Sequence, residues 1–135
     1  MIRRRRRSGR AGTAAIEFAL CAPVLLATFI GAFSVYQLIA AQRMLEDAVA
    51  RALRYGAVNS SVASATSIGT VATTTATSLL GSAAAGLSAT VTFTPSYAPG
   101  NTLTVALSYA WPPALLQIGW PSVTLTSSGS ITVQN

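Results

Sequence analysis

The chain has 135 residues, nine basic and three acidic, for a net charge of +6, and 51% of its residues are apolar. It contains no histidine and a single cysteine, Cys21, so it can build neither an intrachain disulfide, nor a zinc site, nor a Cys–His nucleophile pair. Every charged residue lies at or before Arg54; Tyr55 to Asn135 therefore lacks the groups for acid–base or metal catalysis, and its hydroxyls have no neighbouring base to activate them.

These features lead us to expect a protein that is not an enzyme and takes no cofactor and no metal. A pI near 10.8 taken alone suggests a nucleic-acid partner. The basic residues, however, are not interleaved with aromatics, and a run of arginines beside an apolar segment is also what a cytoplasmic membrane flank looks like. No nucleic-acid partner is expected.

The N-terminus carries Arg3–Arg7 and Arg10, then Gly12, then Glu17 at the threshold of an almost wholly apolar run from Phe18 to Ala41. That run counts 24 residues, and as a helix it extends about 36 Å, enough to cross a hydrocarbon core of about 30 Å with some tilt. It leads through Gln42 and Arg43 into another helix-prone stretch, unlike the short apolar region of a cleaved secretory signal. With six arginines before the run and none beyond Arg54, the bias of basic residues toward the cytoplasm places the N-terminus inside and the C-terminus outside. Cys21 reads as a small apolar residue of this helix.

A carboxylate beside the hydrocarbon region is costly unless it has a partner or a purpose. Glu17 is four residues after Thr13, so the two share one helix face, and an α-amine freed at Thr13 can neutralise the carboxylate within a chain or between neighbouring chains. The alternative is that Glu17 merely complements the helix macrodipole, an effect of about 0.3–1 kcal/mol that leaves Gly12 unexplained. Pro23 lacks an amide hydrogen and crowds the carbonyl of Ala19. It predicts a bend in the helix, or else a proline simply tolerated in a membrane. Ala27, Gly31 and Ser34 offer small residues for close helix contact.

Beyond the apolar run, Leu38, Gln42, Leu45, Val49 and Ala52 draw one stripe down a continuing helix, facing either a partner subunit or the rest of the chain. Arg43, Asp47 and Arg51 are spaced for a ladder of exposed ion pairs, and Gly56 is placed to cap the helix end. A helix from about Ala14 to Tyr55 is predicted. Asn59 to Gly81 carries Val62, Ile68, Val71, Ala72, Thr75 and Leu79 at helical intervals; it reads as a second helix, the competing reading being a flexible Ser/Thr-rich stalk.

Ala89–Thr94 and Thr102–Ala110 alternate around a Pro99-Gly100-Asn101 turn, as a β-hairpin does. Pro112-Pro113 breaks the pattern, Ala114–Trp120 is an apolar connector, and Val123–Val133 alternates again with an interruption at Ser127–Gly129. The fold class is therefore α+β: a long N-terminal transmembrane helix, then a small domain with a second helix and an antiparallel sheet of three to four short strands. The expected division is a basic leader over 1–12, a helix over 13–56 and an exterior domain over 57–135. A domain of that size has a thin core and is expected to rest on the membrane-proximal helix or on neighbouring subunits. Trp111, Leu115, Leu116, Ile118 and Trp120 form its most apolar cluster, either core or subunit interface.

Read as a unit, the basic leader, Gly12-Thr13 and Glu17-Phe18 resemble a type IV prepilin cleavage site. The stretch from Gly12 to Gly56, with Glu17-Phe18-Ala19-Leu20, Pro23, Gly31 and the alanine-rich segment Gln42–Arg54, is similar to the TadE-like family of pseudopilins, the minor pilin-like proteins of tight-adherence systems; Cys21-Ala22 departs from the aliphatic residues usual there. The resemblance implies cleavage between Gly12 and Thr13 by a prepilin peptidase on the cytoplasmic face. It also implies assembly through the apolar helix, with Glu17 and Phe18 setting register and Pro23 at the bend. Candidate interface residues are Leu38, Leu45, Val49, Trp111 and Trp120. The implied partners are the peptidase, other pilin subunits or further copies of the chain, an inner-membrane assembly platform and membrane lipid. The implied location is the bacterial inner membrane as a precursor, then a surface pilus or the periplasm. The rival is an uncleaved bitopic protein whose exterior domain is a binding or assembly module.

Overall fold

The computed structural model of the chain describes residues 9–59, 63–84, 86–94, 98, 100–111 and 122–133. It is α+β, with a long apolar N-terminal helix, a second helix and one antiparallel sheet. Helix α1 spans Gly9–Val58, helix α2 spans Ala65–Leu80 and continues into a 3-10 turn at Gly81–Ala84, and the strands are β1 (Leu87–Thr94), β2 (Thr102–Trp111) and β3 (Val123–Thr132). The strands pair in chain order as an antiparallel meander. The chain forms two compact units, Met1–Tyr36 and Gln37–Asn135, so α1 begins in the first and ends in the second.

In the second unit the core follows from two periodicities meeting. On β2, Leu103, Val105, Leu107 and Tyr109 are buried, because a strand sends alternate side chains to one face. Against them lie Leu45, Ala48, Val49 and Ala52 of α1 and Ile68, Ala72 and Ala76 of α2, also buried, at the three- and four-residue spacing that puts side chains on one helix face. The opposite sheet face is almost wholly Ser and Thr: Ser88, Thr90, Thr92, Thr104, Thr126 and Ser130 point there and none is buried.

Helix α2 begins at Ser64, whose hydroxyl accepts from the Ser67 amide while the Ser67 hydroxyl accepts from the Ser64 amide. This reciprocal cap satisfies two donors that would otherwise lack partners, and it decides for a helix in a segment that also reads as a stalk. The helix stops at Gly81, which adopts φ +61° while its amide donates to Thr77 O, a backbone conformation that costs glycine little. Gly100, φ +85°, turns the hairpin, and its amide reaches Val133 O at 2.8 Å.

Three expectations are corrected. Gly56 is not a cap: α1 continues to Val58 and Gly56 is buried within it. A Cβ there would sit 2.5 Å from Leu103 Cδ2 and 3.0 Å from Ile68 Cδ1, so the residue is small to let helix, strand and α2 approach. Ser127–Gly129 does not divide the third strand, and β3 pairs with β2 throughout. Gly129 lies beneath Leu53 and Val49, where an added Cβ would come within 2.8 Å and 3.2 Å of their methyl groups. The ion-pair ladder is reduced to one rung among the described residues, Arg51 to Asp47 at 2.9 Å. Its acid-before-base order is the favourable one on a helix, whereas Arg43 before Asp47 is the reverse.

Residues 1–8 of the basic leader, Pro99, Pro112-Pro113 and the connector Ala114–Trp120 lie outside the described residues.

Burial raises the pKa of the Tyr109 phenol above its usual value near 10. The folded unit holds this proton to a higher pH than the unfolded chain does. Its contribution is therefore complete below about pH 10 and is lost as the pH rises beyond. Thermal unfolding between pH 9 and pH 11 is expected to show falling stability that is shallower in Tyr109→Phe.

Candidate assembly helix and processing site

In the first unit the large apolar side chains of α1 are mostly exposed. Ile16, Phe18, Leu20 and Phe29 are 73%, 71%, 77% and 73% exposed, and apolar side chains point outward all round the helix. A helix hydrophobic on every side is buried in lipid or among other helices. Among the described residues α1 is the one helix long and apolar enough to cross a membrane, and it points to membrane association. Two hydroxyls in the run are satisfied internally: Thr28 donates to Val24 O at 2.8 Å and Ser34 to Ile30 O at 2.9 Å, which lowers the cost of placing them in hydrocarbon.

Glycine at position 12 is not required by the fold. A Cβ there would meet nothing within 4 Å, and its backbone is not in the positive-φ region. A helical glycine costs about 1 kcal/mol relative to alanine, and among the described residues no close packing at this position calls for it. The Gly12–Thr13 bond lies inside α1, which starts at Gly9. An enzyme that cuts there must unwind the helix locally, and glycine lowers the cost of that opening. One turn on, Glu17 is exposed amid apolar side chains, on the face of Thr13 by its four-residue offset. Phe18 is exposed beside it, and α1 continues as helix through Pro23.

The other sequence-derived candidates separate from this group. Leu45 and Val49 are 0% and 3% exposed: their stripe faces the chain's own sheet, since Leu103–Tyr109 supplies the complementary apolar surface, and neither is open to another subunit. Leu38 is partly buried against the same core, as is Trp111, and Trp120 lies outside the described residues. An open groove of about 420 Å³ between α2 and β1 is lined by Thr66, Gly69, Thr70, Thr73, Ala89 and Val91 among others. It has no ionisable side chain and offers no acid–base chemistry.

Sequence reasoning placed Arg43, Asp47 and Arg51 on an exposed face of α1 but did not set Glu46 and Arg54 beside them. Arg43, Glu46, Asp47, Arg51 and Arg54 are all exposed and are the only formal side-chain charges from Gln37 onward. The signal was available in the three- and four-residue spacing of these residues, which places them on the face opposite Leu45 and Val49.

Neither a curated protein nor a solved structure matches the chain. Residues 12–54, which include Gly12, Glu17 and most of α1, match the model of the TadE-like protein family.

Proposed function

We propose that this protein is a minor pilin or pseudopilin, made as an inner-membrane precursor with its N-terminus in the cytoplasm. A prepilin peptidase cuts it after Gly12, and it then assembles into, or primes, a tight-adherence pilus or secretion filament. The observation that carries the reading is an apolar first half of α1 whose large side chains are exposed and which bears Gly12, which packing does not call for, five residues before Glu17. The TadE-like match points to a pilus-associated protein and covers this same segment.

Each part then has a task. The arginines hold the leader in the cytoplasm. Cleavage removes the leader and creates an amine at Thr13 that neutralises Glu17, in the same chain or a neighbour. The apolar surface associates first with lipid and then with other subunits on an assembly platform. The exterior unit, uncharged beyond Arg54, is displayed at the cell surface or in the periplasm. Coexpression with a prepilin peptidase tests the reading. The full chain is expected to be shortened, and Gly12→Ala to remain full length, because a methyl group at that position hinders both unwinding and close approach of the peptidase.

A further inference from the structure

We infer that the charged face of α1 between Arg43 and Arg54 is a contact with a second copy of this chain, lying parallel to the first and displaced along the helix by about one turn. The inference rests on the filament reading above, which holds the copies parallel through their apolar helices.

All five formal side-chain charges of the second unit occupy this exposed face. Of them only Arg51 and Asp47 pair with each other, side chains 61% and 50% exposed. Both Arg51 contacts fall on Asp47 Oδ2, which leaves Oδ1 available to another cation.

The order of signs selects a register. Two parallel copies placed level set each charge against its like, an arrangement that repels. A shift of three residues brings Glu46 to Arg43 but also Arg54 to Arg51, and a shift of eight brings Arg54 to Glu46 but Arg51 to Arg43. Shifts of five and of seven each leave a single favourable pair, Arg51 with Glu46 and Arg54 with Asp47. A shift of four residues, about 6 Å along the axis, sets Asp47 of one copy level with Arg43 of the other and Arg51 level with Asp47, with no like charges opposed. The face is thus complementary to itself only when offset, so the two parallel copies meet in an asymmetric contact and not as a level two-fold pair. Ala50, exposed within the same face, lets the helices approach between the pairs.

Two differently tagged full-length copies, both Cys21→Ser, are coexpressed in membranes, one with Ala50→Cys and the other with Glu46→Cys. The four-residue offset places these cysteines level, so the 50–46 disulfide is expected to form at least about threefold faster than the 50–50 disulfide of copies both carrying Ala50→Cys. Adding Arg43→Glu to both copies, or Asp47→Arg to both, is expected to slow the 50–46 disulfide by roughly threefold to tenfold. Adding Asp47→Arg to the Ala50→Cys copy and Arg43→Glu to the Glu46→Cys copy is expected to restore it, which a variant damaged in folding cannot do. Copies that copurify yet form 50–50 links as fast as 50–46 links would overturn the offset contact and leave helix association intact. Copies that do not copurify at all would overturn both this contact and the filament reading.

Discussion

Replacing Gly56 with valine is expected to destabilise the second unit by about 3 kcal/mol, the upper part of the usual range for overpacking a filled core. The added Cβ alone would sit 2.5 Å from Leu103 Cδ2 and 3.0 Å from Ile68 Cδ1, and valine adds two methyl groups beyond it. The helix cannot back away without uncovering Leu45 and Ala52, both 0% exposed. Gly56→Ala tests the same contact more gently, because its overpacking is partly offset by the gain of about 1 kcal/mol in helix propensity. Urea unfolding of the full chain in detergent is expected to rank wild type, then alanine, then valine. A domain this small has only a few kcal/mol in hand, so the valine variant is expected to be largely unfolded at 37 °C.

Replacing Glu17 with leucine is expected to lower incorporation into filaments roughly a hundredfold, corresponding to about 3 kcal/mol for leaving one charge of a buried pair without its partner. The same change makes the isolated helix more apolar and leaves membrane insertion undiminished. The two effects have opposite signs, so comparing the sheared filament fraction with the membrane fraction by immunoblot separates a register-setting carboxylate from one that only complements the helix start. Glu17→Gln keeps the shape and loses the charge, and it is expected to behave like leucine in the filament fraction.

Much of the fold could be read from spacing alone. The apolar run and the stripe from Leu38 to Ala52 announce α1, and the alternation of Leu103, Val105, Leu107 and Tyr109 announces the buried face of β2. What spacing does not tell is which surface covers which. The stripe through Leu45 and Val49 fits a neighbouring subunit as well as a sheet until β2 is seen against it. Gly56 and Gly129 mislead for a related reason. A glycine at the edge of a pattern suggests a cap or a break, but these two are small because Leu103, Ile68, Val49 and Leu53 occupy the space. Tertiary contact, absent from any local window, sets their role. Ser64 and Ser67 were legible in principle as a capping box, although the hydroxyl-rich segment around them hides the signal.

The candidate site was legible in another sense. Gly12 and Glu17 stand out by position in the sequence, and the structure adds that glycine at position 12 is not explained by packing. With the apolar stripe assigned to the core, Glu46 and Arg54 join Arg43, Asp47 and Arg51, whose spacing alone suggests an exposed face, on the outer side of α1.

The mature N-terminus is the most direct measure of the central claim. The full chain is expressed with an active prepilin peptidase, beside Gly12→Ala, and the N-terminal peptide of each is read by mass spectrometry. The processed pilin-like subunit requires a chain that starts at Thr13, and a Gly12→Ala chain that retains Met1 or Ile2. A wild-type chain that keeps Met1 or Ile2 in the presence of active peptidase would contradict it and leave a permanently anchored exterior module.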